Sequence, residues 1–267
     1  MTGARVRLDA ELVRRGLARS REQAAELVAS GRVAVRGSPA AKPATQVTKD
    51  APIAIIDVDG EPDYVSRGGH KLAGALAAFS DLDVTGRRCL DAGASTGGFT
   101  DVLLRAGAAH VVAADVGYGQ LAWSLRTDPR VTVLDRVNVR NLEPEQVAPP
   151  PGLVVADLSF ISLTLVLPAL VACAAPDADF VLMVKPQFEA GKGRVGAGGV
   201  VRDTSVRSDA IRSVCDAAER LGVGVLGIAA SPLPGPAGNV EYFVWLRRGA
   251  PPLDDAELER AIEEGPH

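Results

Sequence analysis

Cysteine, histidine and aromatic residues are scarce in this chain of 267 residues, which has three cysteines, three histidines, two tryptophans, three tyrosines and six phenylalanines. Cys89, Cys173 and Cys215 are odd in number and sit inside apolar stretches, which excludes a disulfide framework and predicts core thiols in a reducing compartment. No cysteine pair has metal-ligand spacing, and His70, His110 and His267 are scattered, so no metal site is expected. Long apolar runs are missing too. The N-terminus has no hydrophobic leader core, and the most apolar later stretch, Leu163 to Ala175, is interrupted by Thr164 and Pro168 and is too short to cross a bilayer. The expectation is a soluble, cytoplasmic protein with no membrane or metal partner.

What is present is enough apolar residue, 47% of the chain, to bury a full core. At this length one large domain beside a small one is the natural division. Charge marks the same division. Residues 1–49 hold ten Lys and Arg against four Asp and Glu, an excess of +6, while the chain as a whole carries -4, which leaves -10 on the remainder. A basic small domain beside an acidic large one suits nucleic-acid binding at one end.

The basic region has its own pattern. Arg7-Leu8-Asp9 with Leu12 and Val13, then Ser20-Arg21 with Ala24, Ala25, Leu27 and Val28, predict two short amphipathic helices with Asp9 and Ser20 as N-caps. Gly31 ends the second helix, Val33-Ala34-Val35 and Gly37 read as strand and turn, and Val47 with Ile53 to Ile56 closes a small sheet. The acidic, Gly- and Pro-containing stretch Asp57 to Asp63 follows. The expected organisation is a small α+β domain over 1–56, a linker over 57–66, a large domain over 67–250 and a C-terminal helix or tail over 251–267.

In the large domain a helix from the Arg67-Gly68-Gly69-His70-Lys71-Leu72 region to about Phe79 precedes alternating strands and helices. Strands are expected near 88–93, 110–115, 131–134, 152–157, 180–185, 223–230 and 240–247, with the clearest helices at 97–107, 162–174 and 204–221. Such alternation predicts an α/β, mostly parallel seven-stranded sheet with helices on both faces and ligands at the strand carboxyl ends. The last two strands are joined by Ser231 to Asn239 rather than a helix, so the final strand should be antiparallel.

The most informative segment is Leu90-Asp91-Ala92-Gly93-Ala94-Ser95-Thr96-Gly97-Gly98-Phe99-Thr100, a strand that turns through glycines into a helix. Its spacing is not the G-x-G-x-x-G of a dinucleotide site. Glycines there let the backbone approach a ligand at a helix N-terminus. With Asp115 ending the next strand, it resembles motif I of S-adenosylmethionine-dependent methyltransferases. That resemblance implies S-adenosylmethionine as cofactor, with Asp91, Gly93, Ala94, Ser95, Thr96 and Gly97 around the methionine part and Asp115 on the ribose hydroxyls. Asn138 reads either as adenine contact or as a turn former. Phe160 reads as a pocket wall, a stacking platform or a core side chain. The glycine-rich segment 188–199 is expected to be a lid or a plain surface loop.

The pattern R-L-D-x-x-L-x-x-x-G-L-x-x-S-R-x-x-A-x-x-L-V-x-x-G-x-V-x-V-x-G over residues 7–37 resembles the S4 RNA-binding domain. The resemblance implies Arg5, Arg7, Arg19, Arg21, Arg32 and Lys42 as RNA contacts, chiefly to phosphates. Four ionisable residues also fall where a methyltransferase sheet keeps its chemistry: Lys71 before the first strand, Asp157 and Lys185 at two strand ends, and Glu241 at the start of the last. They match the Lys-Asp-Lys-Glu tetrad of ribose 2′-O-methyltransferases, and the whole chain resembles the TlyA family of rRNA 2′-O-methyltransferases, mycobacterial-type members most of all. A ribose hydroxyl must lose its proton as it attacks a methyl carbon, and a lysine made easier to deprotonate by burial and a second ammonium can take it. The resemblance assigns Lys185 as base, with Lys71 on the hydroxyl and the two carboxylates positioning; the lysine roles can be exchanged.

It also implies cytidines of 16S and 23S rRNA within 30S and 50S subunits as targets, and sensitivity to capreomycin- and viomycin-type antibiotics as the consequence. The competing classes are a non-catalytic RNA-binding assembly factor and a membrane-acting haemolysin. One departure stands out: mycobacterial-type members have Arg-x-Trp-Val at the domain junction, where this chain has Pro62-Asp63-Tyr64-Val65 and so lacks the arginine.

Overall fold

The computed structural model describes residues 5–18, 20–29, 31–56, 63–191 and 193–265. The chain divides into two compact units, Met1–Asp63 and Tyr64–His267.

The small unit runs β1 (Arg5–Arg7), α1 (Leu8–Arg14), α2 (Arg21–Ala29), β2 (Val33–Val35), β3 (Ser38–Pro39), β4 (Gln46–Thr48) and β5 (Ile53–Ile55). Leu8, Leu12, Ala24, Val28, Val33 and Val47 form its core. Ser20 does cap α2, its hydroxyl accepting from Gln23 N–H at 3.1 Å. Asp9 does not cap α1. Arg7 occupies the cap position, and Asp9 lies inside the first turn with its carboxylate buried against Arg7 and Arg21. Val47 also departs from expectation: β4 pairs with β1, placing Val47 opposite Val6, while β3-β2-β5 make a separate sheet.

In the large unit α3 (Arg67–Ala78) precedes β6 (Arg88–Ala92), α4 (Gly98–Arg105), β7 (His110–Asp115), α5 (Trp123–Arg126), β8 (Val131–Asp135), α6 (Pro144–Val147), β9 (Leu153–Ala156), α7 (Leu163–Cys173), β10 (Asp179–Val184), α8 (Pro186–Glu189), α9 (Thr204–Glu219), β11 (Val223–Ala230), β12 (Tyr242–Arg248) and α10 (Asp255–Glu264). The sheet order is β11-β12-β10-β9-β6-β7-β8. β12 alone runs against its neighbours. Because both faces are covered, the strands are apolar throughout rather than alternating. Leu90, Val112, Val154, Phe180 and Val244 face one helical layer, and Cys89, Val111, Val155, Val181 and Trp245 face the other. The three thiols are free and buried, and burial pushes Cys89 and Cys215 up to about 12. The helix expected over 162–174 is present as α7, with Pro168 inside it.

At the amino-terminal edge of β10, Asp179 is fully buried and accepts from Arg87, Arg247 and Trp245 Nε1, which ties the loop before β6 to β12. This bolts the edge of the sheet away from the glycine turn. The opposite edge, where β6, β7, β9 and β10 end, is left for chemistry.

Candidate active site

Strand β6 ends in a turn that only special backbone geometry allows. Gly93 and Gly97 have φ of 89° and 99°, and Ser95 joins them in the left-handed region at 47°. A Cβ on Gly93 would meet the Asp157 carbonyl oxygen at 2.5 Å, and one on Gly97 would collide with Leu125 and Leu121. The turn delivers the chain to α4, whose N-cap is Gly97 with no side-chain cap. Asp115 secures the turn: its carboxylate accepts from Ser95 N–H at 2.8 Å and from Gly117 N–H at 2.7 Å. Ala94 and Thr96 complete the loop, and Thr96 C=O accepts from Ala122 N–H.

Asp91 lies fully buried beneath this turn. Thr100 Oγ1 donates to its Oδ2 at 2.6 Å, while Oδ1 is buried with no hydrogen-bond partner. Burial pushes the carboxyl up to about 7; the charges of Asp157 and Asp115 add to this, and Thr100 opposes it. Three carboxylates converging on an open helix N-terminus, one of them with an unfilled acceptor, suit a ligand that has both a cationic part and a carboxylate. The methionine moiety of S-adenosylmethionine has both.

Two lysine–carboxylate pairs flank the turn. Lys71, on α3, reaches from beside the core residue Leu72 to Glu241, with Nζ 2.5 Å from Oε2 and both side chains buried. Lys185, just past β10, lies 2.5 Å from Asp157 Oδ1 and donates to Ser159 Oγ at 3.1 Å. Gln187 Nε2 approaches Glu241 Oε1 at 3.5 Å, so the segment after Lys185 reaches toward the first pair. The four residues singled out from the sequence are thus assembled as two ion pairs at the strand ends.

Other expected site residues fall variously. Asn138 caps a short 3-10 turn, its Oδ1 accepting from Arg140 N–H at 3.0 Å. Phe160 is not a core side chain: it is 91% exposed, has φ of 63°, and packs on Phe188 with ring centroids 5.2 Å apart. Sequence reasoning missed the exposed Tyr118 and Trp123, and Arg136 stacks over the Tyr118 ring at 4.3 Å. It also missed Ser159, Gln187 and Glu189, whose only signal was polarity directly after a strand end. The segment 188–199 includes a 3-10 turn, Ala197–Gly199, held by Asn239, whose side chain accepts from Val201 N–H and donates to Gly199 C=O. At the domain junction, Val65 N–H bonds to Asp101, and Arg105 stacks on Tyr64.

In the small unit, Arg7 and Arg21 share Asp9, and Arg14 and Arg15 share the buried Glu11. The paired guanidinium groups hold both carboxyls well below their usual range, Glu11 at about 2. Arg5 and Lys42 are exposed, and Arg32 approaches Asp63 at 3.8 Å. Arg19 lies outside the described residues. Among the described residues no cluster of His, Cys, Asp and Glu could hold a metal ion, and no helix is long and apolar enough to cross a membrane.

The sheet order, the one reversed strand and the glycine turn define the large unit as a Rossmann-like methyltransferase fold, and the small unit is an S4 domain. The chain belongs to the TlyA family of FtsJ-like methyltransferases: the FtsJ-like methyltransferase model matches residues 64–248 and the S4 domain model residues 6–53. The 16S/23S rRNA (cytidine-2′-O)-methyltransferase TlyA of Mycobacterium tuberculosis is 62% identical, covering 98% of this chain and 99% of that protein. Hemolysin A of Brachyspira hyodysenteriae is 35% identical, covering 89% of this chain and 98% of that protein. A solved structure named as a hemolysin from Streptococcus thermophilus superposes with a TM-score of 0.77 at 37% identity, covering 97% of this chain and 95% of that one.

Proposed function

We propose that this protein transfers the methyl group of S-adenosylmethionine to the ribose 2′-oxygen of cytidines in 16S and 23S rRNA, within 30S and 50S subunits, in the cytoplasm. The observation that carries this reading is the pair of lysine–carboxylate contacts, Lys185 with Asp157 and Lys71 with Glu241, standing beside the glycine turn. S-adenosylmethionine, when bound, supplies an electrophilic methyl carbon on a sulfonium. Asp91, Gly93, Ala94, Ser95, Thr96 and Gly97 hold its methionine part, Asp115 its ribose, and the Nδ2 of Asn138 its adenine.

Lys185, as the neutral amine, would take up the proton that the ribose hydroxyl gives up when S-adenosylmethionine is bound and its methyl group is transferred. Asp157 and Ser159 hold its Nζ in place. The Lys185–Asp157 pair is the one assigned to the proton because Asp157 backs directly onto Gly93. Lys71, held by Glu241, hydrogen-bonds the reacting oxygen. Such acid–base assistance is worth about 10²–10⁴-fold. Alignment of oxygen and methyl carbon contributes up to about 7–11 kcal/mol in favourable cases. Phe160 offers an exposed face for the target base, since stacking holds a base that has left its helix. Arg5, Arg7, Arg19, Arg21, Arg32 and Lys42 hold rRNA through its phosphates.

A non-catalytic RNA-binding factor would have no use for two lysine–carboxylate pairs set beside the glycine turn. Haemolysin names among relatives have no counterpart here in a membrane-crossing helix among the described residues. The test is transfer of labelled methyl into isolated subunits followed by mapping of 2′-O-methylcytidine. Ribosomes carrying the modification should also be the more sensitive to capreomycin and viomycin.

A further inference from the structure

The parallel ladder between β9 and β10 ends at Leu182 opposite Ala156. Asp157 and Lys185 both lie beyond that last rung, so backbone pairing between the two strands does not set their separation. Beyond it, every contact between the segments that carry them, 157–163 and 185–189, involves a side chain. Three of the contacts belong to the site or its rim: Lys185 with Asp157, Lys185 with Ser159, and Phe160 against Phe188.

The fourth comes from Glu189, the last residue of α8. Its Oε1 accepts from Leu163 N–H at 2.7 Å, and its Oε2 accepts from Ser162 Oγ at 2.5 Å. Ser162 in turn caps Thr164 N–H. The first amide of α7 is therefore satisfied by a residue 26 positions away, at the end of α8. A carboxylate there is also favoured by the helix dipole. Because α8 is only one turn long and begins directly after Lys185, pinning its far end to α7 fixes both flanks of the Lys185–Asp157 pair.

We infer that Glu189 is a positioning residue for the methyl-transfer reaction: by clamping the end of α8 to the start of α7 it sets the separation of Lys185 from Asp157 and Ser159 and holds Phe160 against Phe188. This rests on the reading of Lys185 as the proton acceptor. The clamp needs an acceptor for Leu163 N–H and a partner for the Ser162 hydroxyl, not a charge. An amide supplies both, since its carbonyl can accept from Leu163 and its amino group can donate to Ser162 Oγ. Glutamine should therefore substitute for Glu189 and alanine should not.

The experiment compares the full-length wild type, Glu189→Gln and Glu189→Ala in three measurements: steady-state methyl transfer, S-adenosylmethionine affinity by calorimetry, and amide hydrogen exchange over 157–165 and 185–190. Misplacement of a catalytic group by about 1 Å costs roughly 10²-fold. Glu189→Ala is expected to lose kcat on that scale with little change in KM or cofactor affinity, and to exchange faster in both segments; Glu189→Gln should stay within about twofold of wild type. Wild-type kcat in Glu189→Ala, or equal losses in the Ala and Gln variants, would overturn the proposal. So would unchanged exchange in both segments of Glu189→Ala. The exchange measurement does not depend on turnover. A wild type that transfers no methyl would contradict the assigned chemistry while exchange still decided whether Glu189 clamps the two segments.

Discussion

Asp91 and Asp115 stand at adjacent strand ends yet meet opposite environments, and each makes its own prediction. Asp115 holds Ser95 and Gly117 amides, so Asp115→Ala removes a loop anchor together with the proposed cofactor contact. Calorimetry should show S-adenosylmethionine affinity reduced at least about tenfold, equivalent to the loss of roughly one charge-assisted hydrogen bond. Unchanged affinity would place the cofactor elsewhere. Burial pushes the Asp91 carboxyl up to about 7. The unfolded chain loses this proton at the ordinary carboxylate value, near 4, so the group's contribution to stability falls as pH rises from about 4 to about 7. Melting of the ligand-free protein should therefore decline over that window, and Asp91→Asn should reduce the decline; an identical slope in the variant would contradict this. Asp9 and Glu11 act in the opposite sense. Their lowered values add stability that is lost only as pH falls below the ordinary carboxylate range.

At the scale of elements, the strands of the large unit were legible because each is an apolar run bounded by turn residues, and all seven fall within two residues of the sequence reading. The reversed β12 followed from the helix-free Ser231–Asn239 connection. The small unit was read less well. Asp9 looked like a helix cap because cap chemistry is local, whereas its actual partners, Arg7 and Arg21, are assembled by tertiary contact. The same limit hid Ser159 and Glu189, whose roles depend on which strand end they face. The glycine turn, by contrast, was visible because its constraint is a backbone one. Gly97→Ala should put a Cβ at φ of 99° and against Leu121 and Leu125. Displacing the start of α4 should abolish cofactor binding, read by calorimetry, with the sheet's far-ultraviolet circular dichroism retained; wild-type affinity would show that the turn tolerates a side chain.

For the whole molecule, the proposed function assigns RNA capture to the end with the +6 excess and chemistry to the rest, which carries -10. Arg7 and Arg21 neutralise a buried carboxylate, so changing them would unsettle the small unit as well as any RNA contact. Arg5 and Lys42 are exposed and are the cleaner probes. Each phosphate contact contributes about -0.7 to -0.9 to the slope of log affinity against log salt. The double variant Arg5→Gln with Lys42→Gln should bind subunits more weakly, with a slope flatter by about 1.4–1.8, while its cofactor affinity is unchanged. A parental slope would put the RNA on some other surface. The central claim, that Lys185 takes the ribose proton while the small unit holds the RNA, is tested most directly by one comparison: labelled methyl transfer into isolated ribosomal subunits by wild type and by Lys185→Ala, with subunit binding measured in parallel. The account predicts 2′-O-methylcytidine from the wild type and none from a variant that still binds; full turnover by Lys185→Ala would contradict it.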